Sequence, residues 1–296
     1  MGGADVIPGV SGGTIAFITG IYEELLHSLK SIDLKAFTLL SKFQFEAFWK
    51  KINGNFLSVV LAGIATSVIS LAKILSYLLE HYPIMVWSFF FGLILISSPL
   101  ILRTIKKWRI AVVVSFIVGA VIAYAITILS PTQTPEALWF IFFAGCIAIC
   151  AMILPGISGA FILLLLGKYE FIIQSLIDLN IAVIGVFLIG CVIGLISFSH
   201  LLTWILDHYH DITIALLAGF MVGSLNKVWP WKEVLSFRID SNGQQVAATD
   251  RSILPGDYLT ITGHDPQVFQ AIMMMALGVF IVVVIEKIAE RLKTKF

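Results

Sequence analysis

The sequence predicts an all-α polytopic membrane protein with two inverted-topology repeats, each a re-entrant helical hairpin followed by three transmembrane helices. The first observation behind this prediction is composition: 59% of the 296 residues are hydrophobic and 12% are charged, whereas soluble chains carry about 25% charged residues. The second is a Pro-Gly-x-Ser-Gly motif that occurs twice, 147 positions apart. The third is that each half contains three further apolar runs of the roughly 20 residues that a bilayer crossing needs.

The two motif copies open similar halves of the chain. The shared residues are Pro8, Gly9, Ser11 and Gly12 in the first copy and Pro155, Gly156, Ser158 and Gly159 in the second. Each copy is followed by a Tyr-Glu pair, Tyr22-Glu23 or Tyr169-Glu170. A repeat of this length indicates a duplicated structural unit rather than a chance match.

We therefore predict a first repeat at 1–134 and a second at 135–296. The re-entrant hairpins are expected at 1–29 and 138–176. The apolar arm at the start of the second hairpin has almost no counterpart before the first motif, so we expect that the chain begins upstream of Met1.

Six apolar runs are long enough to be ordinary spans. They lie at 56–79, 84–102 and 110–129 in the first repeat and at 181–206, 212–228 and 268–285 in the second. Two Gly-x-x-x-Gly pairs, Gly190/Gly194 and Gly219/Gly223, predict close packing between helices. The three cysteines also lie in apolar runs and are interpreted as small buried hydrophobic residues, with no spacing typical of a metal or cofactor site.

Charge predicts the orientation of the repeats. Three spans are an odd number, so the second repeat should be upside down relative to the first. The linker at 30–55 carries five lysines among aromatic residues, which is typical of an interfacial amphipathic helix in contact with membrane lipids. With this linker inside, the basic loop at 103–109 and the basic tail are also inside, as the positive-inside rule requires. Both termini are therefore predicted to be cytoplasmic and the polar loop at 229–266, with a small β-hairpin around Asn242-Gly243, extracellular. The net charge of +1 gives no indication of a nucleic-acid partner.

The motif predicts a break in a helix that can bind an anion. Proline interrupts the helix and glycine allows unusual backbone angles. A helix that restarts after Ser-Gly-Gly directs free N–H groups into the break, which suits a phosphate or carboxylate. The alternative is a structural kink whose glycines permit tight packing. The expected binding residues are Pro8, Gly9, Ser11, Gly12, Gly13, Thr14, Pro155, Gly156, Ser158 and Gly159.

Four charged or titratable residues within the apolar sequence are further candidates. Glu23 and Glu170 could carry a proton or bind a cation, or could simply anchor the hairpins at the interface. Lys73 and His200 occupy equivalent positions of the two repeats and could contact a phosphate. The alternatives are a lysine that reaches the interface and a hydrogen-bonded core histidine.

Two other functions fit parts of the pattern. A secondary transporter of a small soluble anion would use the same backbone site. An intramembrane serine hydrolase would use a Gly-x-Ser-Gly nucleophile with His200, but a hydrolase needs one nucleophile and this motif is duplicated. We therefore expect a protein that is not an enzyme.

The motif from Gly3 to Thr14, its second copy and the paired Tyr-Glu residues resemble a bacterial and archaeal membrane family described as polyprenyl-phosphate transporters. The resemblance covers essentially the whole chain. It implies a lipid flippase of the cell membrane that returns undecaprenyl phosphate, the carrier of cell-wall precursors such as those of peptidoglycan, from the outer to the inner leaflet. It also implies that the motif residues form the core of the substrate site.

The two hairpins are not expected to be equivalent, because Asp5 is matched by Met152 and Gly13-Thr14 by Ala160-Phe161. Driven transport requires a coupling ion, either H⁺ or Na⁺. The candidates for the ion or proton relay are Asp5, Glu23 and Glu170, with His200 as a further titratable group.

Overall fold

Helices form most of the protein, and the computed structural model describes residues 1–5, 11–132, 134–239 and 245–293. The first half contains α1 (Gly2–Asp5), α2 (Gly12–Ile18), α3 (Tyr22–Lys30), α4 (Leu34–Ser41), α5 (Phe45–Lys51), α6 (Gly54–His81), α7 (Pro83–Leu102) and α8 (Ile110–Ile128). The second half contains α9 (Leu138–Ile153), α10 (Gly159–Leu165), α11 (Tyr169–Ile177), α12 (Ile181–Ser224), β1 (Lys232–Ile239), β2 (Gln245–Ser252), α13 (Pro255–Thr262) and α14 (Val268–Lys293).

Five of the described helices, α6, α7, α8, α12 and α14, are long and apolar enough to cross a membrane. The spans predicted at 181–206 and 212–228 are joined in the 44-residue α12, which bends at Tyr209 (φ −133°, ψ 46°). The polar segment that we expected to be a loop is a kink between two helices, and Tyr209 has non-helical backbone angles there. The predicted positions of the other ordinary spans are confirmed.

Each motif is followed by a short helix and a sharp change of direction. In the second half, α10 and α11 are bent by 104°. The corresponding turn of the first half joins α2 to α3. Gly20 and Gly167 occupy these two turns with φ of 72° and 61°, a region that L side chains rarely adopt. The glycines at equivalent positions therefore have a shared conformational role.

Two helix crossings depend on glycine, and each joins the two halves of the chain. Helix α7 packs on α14, and α8 packs on the part of α12 beyond its bend. A methyl group on Gly92 would overlap the carbonyl of Met275, and one on Gly278 would overlap that of Phe89. In the other crossing, Gly119 faces the carbonyl of Leu216 and Gly219 that of Phe116. In all four cases the carbonyl belongs to the residue three positions before the opposing glycine.

The Gly-x-x-x-Gly packing is confirmed at both predicted pairs. Gly190 and Gly194 approach the backbone of α9, and Gly219 and Gly223 approach that of α8. The cysteines are unpaired and half-buried between α9 and α12. Their thiols contact backbone carbonyls, such as that of Gly190 at 3.0 Å from Cys146 Sγ.

The polar segments differ from expectation in two details. The linker forms two short helices, α4 and α5, instead of one, with a turn at Phe43 (φ 56°). Strands β1 and β2 form the expected antiparallel hairpin, although Asn242-Gly243 lies outside the described residues. The run from Tyr258 to Ile261 resembles a strand in sequence but lies in α13. Pro255 is at the first turn of this helix and Gly263 ends it in the left-handed conformation.

Candidate functional site: two motif breaks in contact

The two motifs meet directly in the fold through Ser11. Its hydroxyl lies 3.0 Å from the carbonyl oxygen of Met152 and 3.2 Å from that of Leu154. These carbonyls belong to the end of α9, where the second break begins. Ser11 is 1% exposed, so its hydrogen bonds form away from solvent. Residues 141 to 143 positions apart are thereby joined.

A second polar contact runs through Thr14. The Gly156 N–H donates to Thr14 Oγ1 at 2.9 Å, and both residues are buried. Gly13 lies so close to the carbonyl of Ile153 that an added methyl group would overlap it. Gly13 and Thr14 are two of the positions at which the two copies differ, since the second has Ala160 and Phe161. The first copy therefore provides the side chains that bridge the two breaks.

Asp5 is the last residue of α1 and contacts the start of α2. Its Oδ1 accepts the Gly12 N–H at 2.7 Å. Its Oδ2 is buried and has no hydrogen-bond partner among the described residues. A buried carboxylate oxygen without a donor is costly, which is typical of a position used in function.

The N–H groups that we expected to be free are bonded to side chains. Gly12 N–H donates to Asp5, and Gly13 N–H donates to Ser11 Oγ at 3.1 Å. In the second break, Ser158 Oγ accepts from Phe161 N–H at 3.5 Å. The predicted residues Pro155, Gly156, Ser158 and Gly159 are all buried around this contact, whereas Pro8 and Gly9 lie outside the described residues.

Glu23 pairs with a residue that the sequence analysis did not select. Its Oε1 lies 3.2 Å from His210 Nε2. This contact links the turn between α2 and α3 to the bend of α12. Asp211 Oδ1 is 3.4 Å from the other ring nitrogen of His210, and its carboxylate also accepts backbone N–H groups of Lys106 and Lys107. His210 was missed because it lies in a segment that appeared to be a loop.

Two cavities meet at His210. The larger one, of about 500 Å³, is lined by basic and titratable residues that include Lys106, Lys107, Arg109, His208, His210 and Asp211. The smaller one, of about 240 Å³, reaches Glu23, Tyr22 and Phe17 of the first hairpin. The Glu23–His210 pair therefore lies between a basic surface cavity and the motif hairpin.

The remaining candidates lie elsewhere. Lys73 is exposed on α6, and His200 Nδ1 is 2.8 Å from the Ile196 carbonyl of its own helix. Within the described residues, neither forms a hydrogen bond or ion pair with the two breaks. The Ser11–His200 pair that a serine hydrolase would need is therefore not formed there. Glu170 is half-buried in the first turn of α11.

Lys168 lies at the turn between α10 and α11 and is a second residue that the sequence analysis did not select. It is 2% exposed, and its ammonium group donates to the Thr134 carbonyl at 2.7 Å. The rings of Phe140 and Phe171 lie 5.9 and 5.5 Å from the same group. This lysine ties the second hairpin to the segment that connects the two halves.

Broken helices that meet inside an apolar bundle occur at the binding sites of membrane transporters, and this is the class of protein that the fold fits. A family model described as undecaprenyl phosphate translocase-like matches residues 1–246. The chain belongs to this family.

Two curated relatives agree with this assignment. A polyprenyl-phosphate transporter of Vibrio cholerae is 46% identical over 291 residues, which cover 98% of this chain and 94% of the relative. A polyprenyl-phosphate transporter of Staphylococcus aureus is 32% identical over 249 residues, which cover 78% of this chain and 83% of the relative. No solved structure matches this chain.

Proposed function

We propose that this protein returns undecaprenyl phosphate from the outer to the inner leaflet of the cell membrane, with its head group bound between the two breaks. The observation that carries the proposal is the contact of Ser11 and Thr14 with the second break. Membership in the family and the names of both relatives support a polyprenyl phosphate as the substrate. The prenyl tail can stay in the bilayer while the head group crosses.

In this proposal the Asp5 carboxylate occupies the position that an oxygen of the substrate phosphate takes when the substrate binds. Its carboxylate accepts the Gly12 N–H that an anion would need, and its second oxygen is buried with no hydrogen-bond partner in the part of the chain that the structure describes. A charged Asp5 would repel phosphate, whereas a protonated Asp5 would be neutral and would release the N–H group. Competition for this donor couples entry of the phosphate to uptake of a proton.

The Glu23–His210 pair gives the proton a route to the surface. The two side chains lie 3.2 Å apart and connect the first hairpin to the basic cavity. A neutral imidazole has one nitrogen that accepts a proton and one that donates a proton, so His210 takes the role that we first considered for His200. Protons are therefore favoured over Na⁺ as the coupling ion.

The glycine crossings support inverted repeats. Gly92 and Gly219 are equivalent in the second spans of the two repeats, as are Gly119 and Gly278 in the third spans. Each second span packs on the third span of the other repeat with the same three-residue offset. Such reciprocal contacts are expected when two units are related by a two-fold axis in the membrane plane.

The first test measures surface exposure of undecaprenyl phosphate in cells depleted of this protein and of redundant carriers. A head-group-binding antibiotic serves as the label. We expect the lipid to accumulate outside and wild type to restore recycling, whereas Gly12→Leu/Gly159→Leu should not, since both added side chains would meet neighbouring atoms. The matched control is Gly63→Leu/Gly185→Leu, because no atom lies within 4 Å of a methyl group at either position. Unchanged exposure after depletion would contradict the proposal.

Proteoliposomes test the coupling. An imposed pH gradient should accelerate flipping by wild type, and Asp5→Asn and His210→Gln should remove this response. Asp178→Asn changes an exposed carboxylate beyond the second hairpin and should behave as wild type. A response to a sodium gradient alone would contradict proton coupling. Equal transport of inorganic phosphate would favour the soluble-anion alternative.

A further inference from the structure

We propose that Lys227 and Lys232 form a capture site for the phosphate monoester of a prenyl lipid, at the end of the bundle opposite the basic cavity. This inference rests on the proposed function and assigns it a second binding site, separate from the two breaks. On the orientation predicted above, this end faces the outside.

The two lysines share a single carboxylate. Both ammonium groups lie 3.2 Å from Asp250 Oδ2, and Lys232 also donates to the Lys227 carbonyl at 2.8 Å. The side chains are 18% exposed for Lys227, 14% for Lys232 and 24% for Asp250. Among the described residues, two cations with one anion leave an uncompensated positive charge in a place with little solvent.

That charge imbalance is energetically unfavourable unless an anion is present. Burial, together with repulsion from Lys227, lowers the pKa of Lys232 to about 8. The same two lysines lower the pKa of Asp250, so the carboxylate stays ionised and does not relieve the excess charge by binding a proton. A phosphate monoester carries nearly two negative charges at neutral pH and would balance the lysine pair.

The position of the pair connects it with the second motif. Lys227 Nζ lies 4.6 Å from the ring centre of Phe161, three residues beyond Ser158 in the second break. Lys232 Nζ lies 5.8 Å from the ring of Trp87, in the first turns of α7. Lys106 follows the other end of α7, so the helix separates the two basic regions by about 30 Å.

Aromatic rings next to the lysines suit an isoprenoid chain. These rings are those of Phe161 and Trp87, which lie 4.6 and 5.8 Å from the two ammonium groups. A cationic head-group contact beside an apolar aromatic wall matches the chemistry of a prenyl phosphate better than that of free phosphate. Positive-inside anchoring does not account for these lysines, because the rule places basic residues at the opposite end.

A purely structural explanation makes a different prediction from ours. In that explanation the ion pairs only hold the β-hairpin against the bundle. Removing Asp250 would then be as harmful as removing either lysine. In a capture site, Asp250 competes with the ligand, so removing its charge should leave anion affinity intact or increase it.

The experiment measures binding of farnesyl phosphate to the purified full-length protein by calorimetry, with thermal unfolding recorded for each variant. We expect Lys227→Gln and Lys232→Gln each to weaken binding about tenfold, and Asp250→Asn to bind at least as tightly as wild type. The control is Arg251→Gln, which breaks an exposed pair with Glu233 in the same β-hairpin and should not change affinity. Equal weakening by Asp250→Asn and the lysine variants, or unchanged affinity in the lysine variants, would overturn the proposal.

Lys232→Arg provides a variant that keeps the charge if the glutamine variants unfold. The affinity of wild type for farnesyl phosphate should fall as pH rises through about 8, because Lys232 then loses its proton. In Lys232→Arg this decline should disappear, because arginine stays charged. The charged groups that face Lys232 are Lys227 and Asp250. Identical pH profiles for wild type and Lys232→Arg would contradict the site.

Competitors identify the ligand and separate the two proposals. Farnesol should not compete, and inorganic phosphate should compete only at much higher concentration; equal competition would overturn the assignment to a lipid phosphate. If wild type binds no farnesyl phosphate, the proposed function fails together with this site. If wild type binds and the lysine variants bind equally well, only this site fails.

Discussion

The hydroxyl groups of Ser11 and Thr14 join the two motifs in one candidate site. Ser11 and Thr14 each bond to backbone atoms of the other half, and both residues are buried. Thr14, which is matched by Phe161 in the second copy, was selected through the family motif, and Ser11 was selected through the repeat in the sequence. The sequence could not indicate their partners, because a hydrogen bond to a carbonyl 141 positions away leaves no mark in side-chain type.

His210 and the lysine pair were missed for physical reasons. The segment around His210 is polar enough to resemble a loop, but in the structure it is a kink between two helices, with Tyr209 outside helical geometry. Lys232 lies in a polar loop where lysines are common, and only the fold shows that it is buried. Lys73 and His200 were selected by equivalence in the repeat, which does not determine what a side chain faces.

Gly13→Ala tests the contact between the breaks with a single methyl group. The methyl would overlap the Ile153 carbonyl, and overpacking of this kind costs about 1–3 kcal/mol. We expect transport to fall by about tenfold or more. Gly185→Ala is the control, since its methyl would meet no atom within 4 Å and should leave transport unchanged. Retained transport in Gly13→Ala would show that the breaks need not touch.

At the scale of helices and strands, the length of an apolar run was a reliable predictor of a long helix. Runs of about 20 apolar residues have few alternatives to a spanning helix because their backbone must satisfy its own hydrogen bonds in lipid. Short polar elements were less predictable. The β-prone run in α13 became helical because proline starts the helix and Gly263 ends it, so capping outweighed the preference of four side chains.

The glycine crossings give a paired prediction for the helices. Gly92→Ala and Gly219→Ala should each destabilise the protein by about 1–3 kcal/mol, because each methyl would meet a backbone carbonyl that cannot easily move. The two losses should be similar, since the crossings have the same geometry. Thermal unfolding in detergent measures both. Gly63→Ala meets open space and should be neutral or slightly stabilising; a loss as large as in the other two variants would contradict the packing argument.

At the scale of the whole molecule, two basic regions lie at opposite ends of α7 and of the second part of α12. One is the cavity with Lys106, Lys107 and Arg109, and the other is the Lys227–Lys232 pair. The two breaks contact each other and lie between these basic regions. Gly156 of the second break approaches Phe220, which is in the middle of the second part of α12. An anion would thus meet positive charge at both ends of its path.

Cysteine labelling tests the orientation of these ends. In a variant without native cysteines, Arg251→Cys should react with a membrane-impermeant maleimide in intact cells. Lys107→Cys should react only after permeabilisation, because the positive-inside rule places its loop in the cytoplasm. Labelling of both in intact cells, or the reverse order, would contradict the predicted topology.

The glycine crossings also bear on how such a chain could have arisen. Helix α7 packs on α14, and α8 packs on α12. The glycines of each half are therefore covered by a helix of the other half. In the proposed inverted arrangement, a single ancestral copy would pair with an upside-down twin by exchanging helices, much as domain-swapped dimers exchange identical elements, and a gene fusion would then join the two copies. We expect the bodies that rock during transport to be these mixed helix pairs and not the two gene halves.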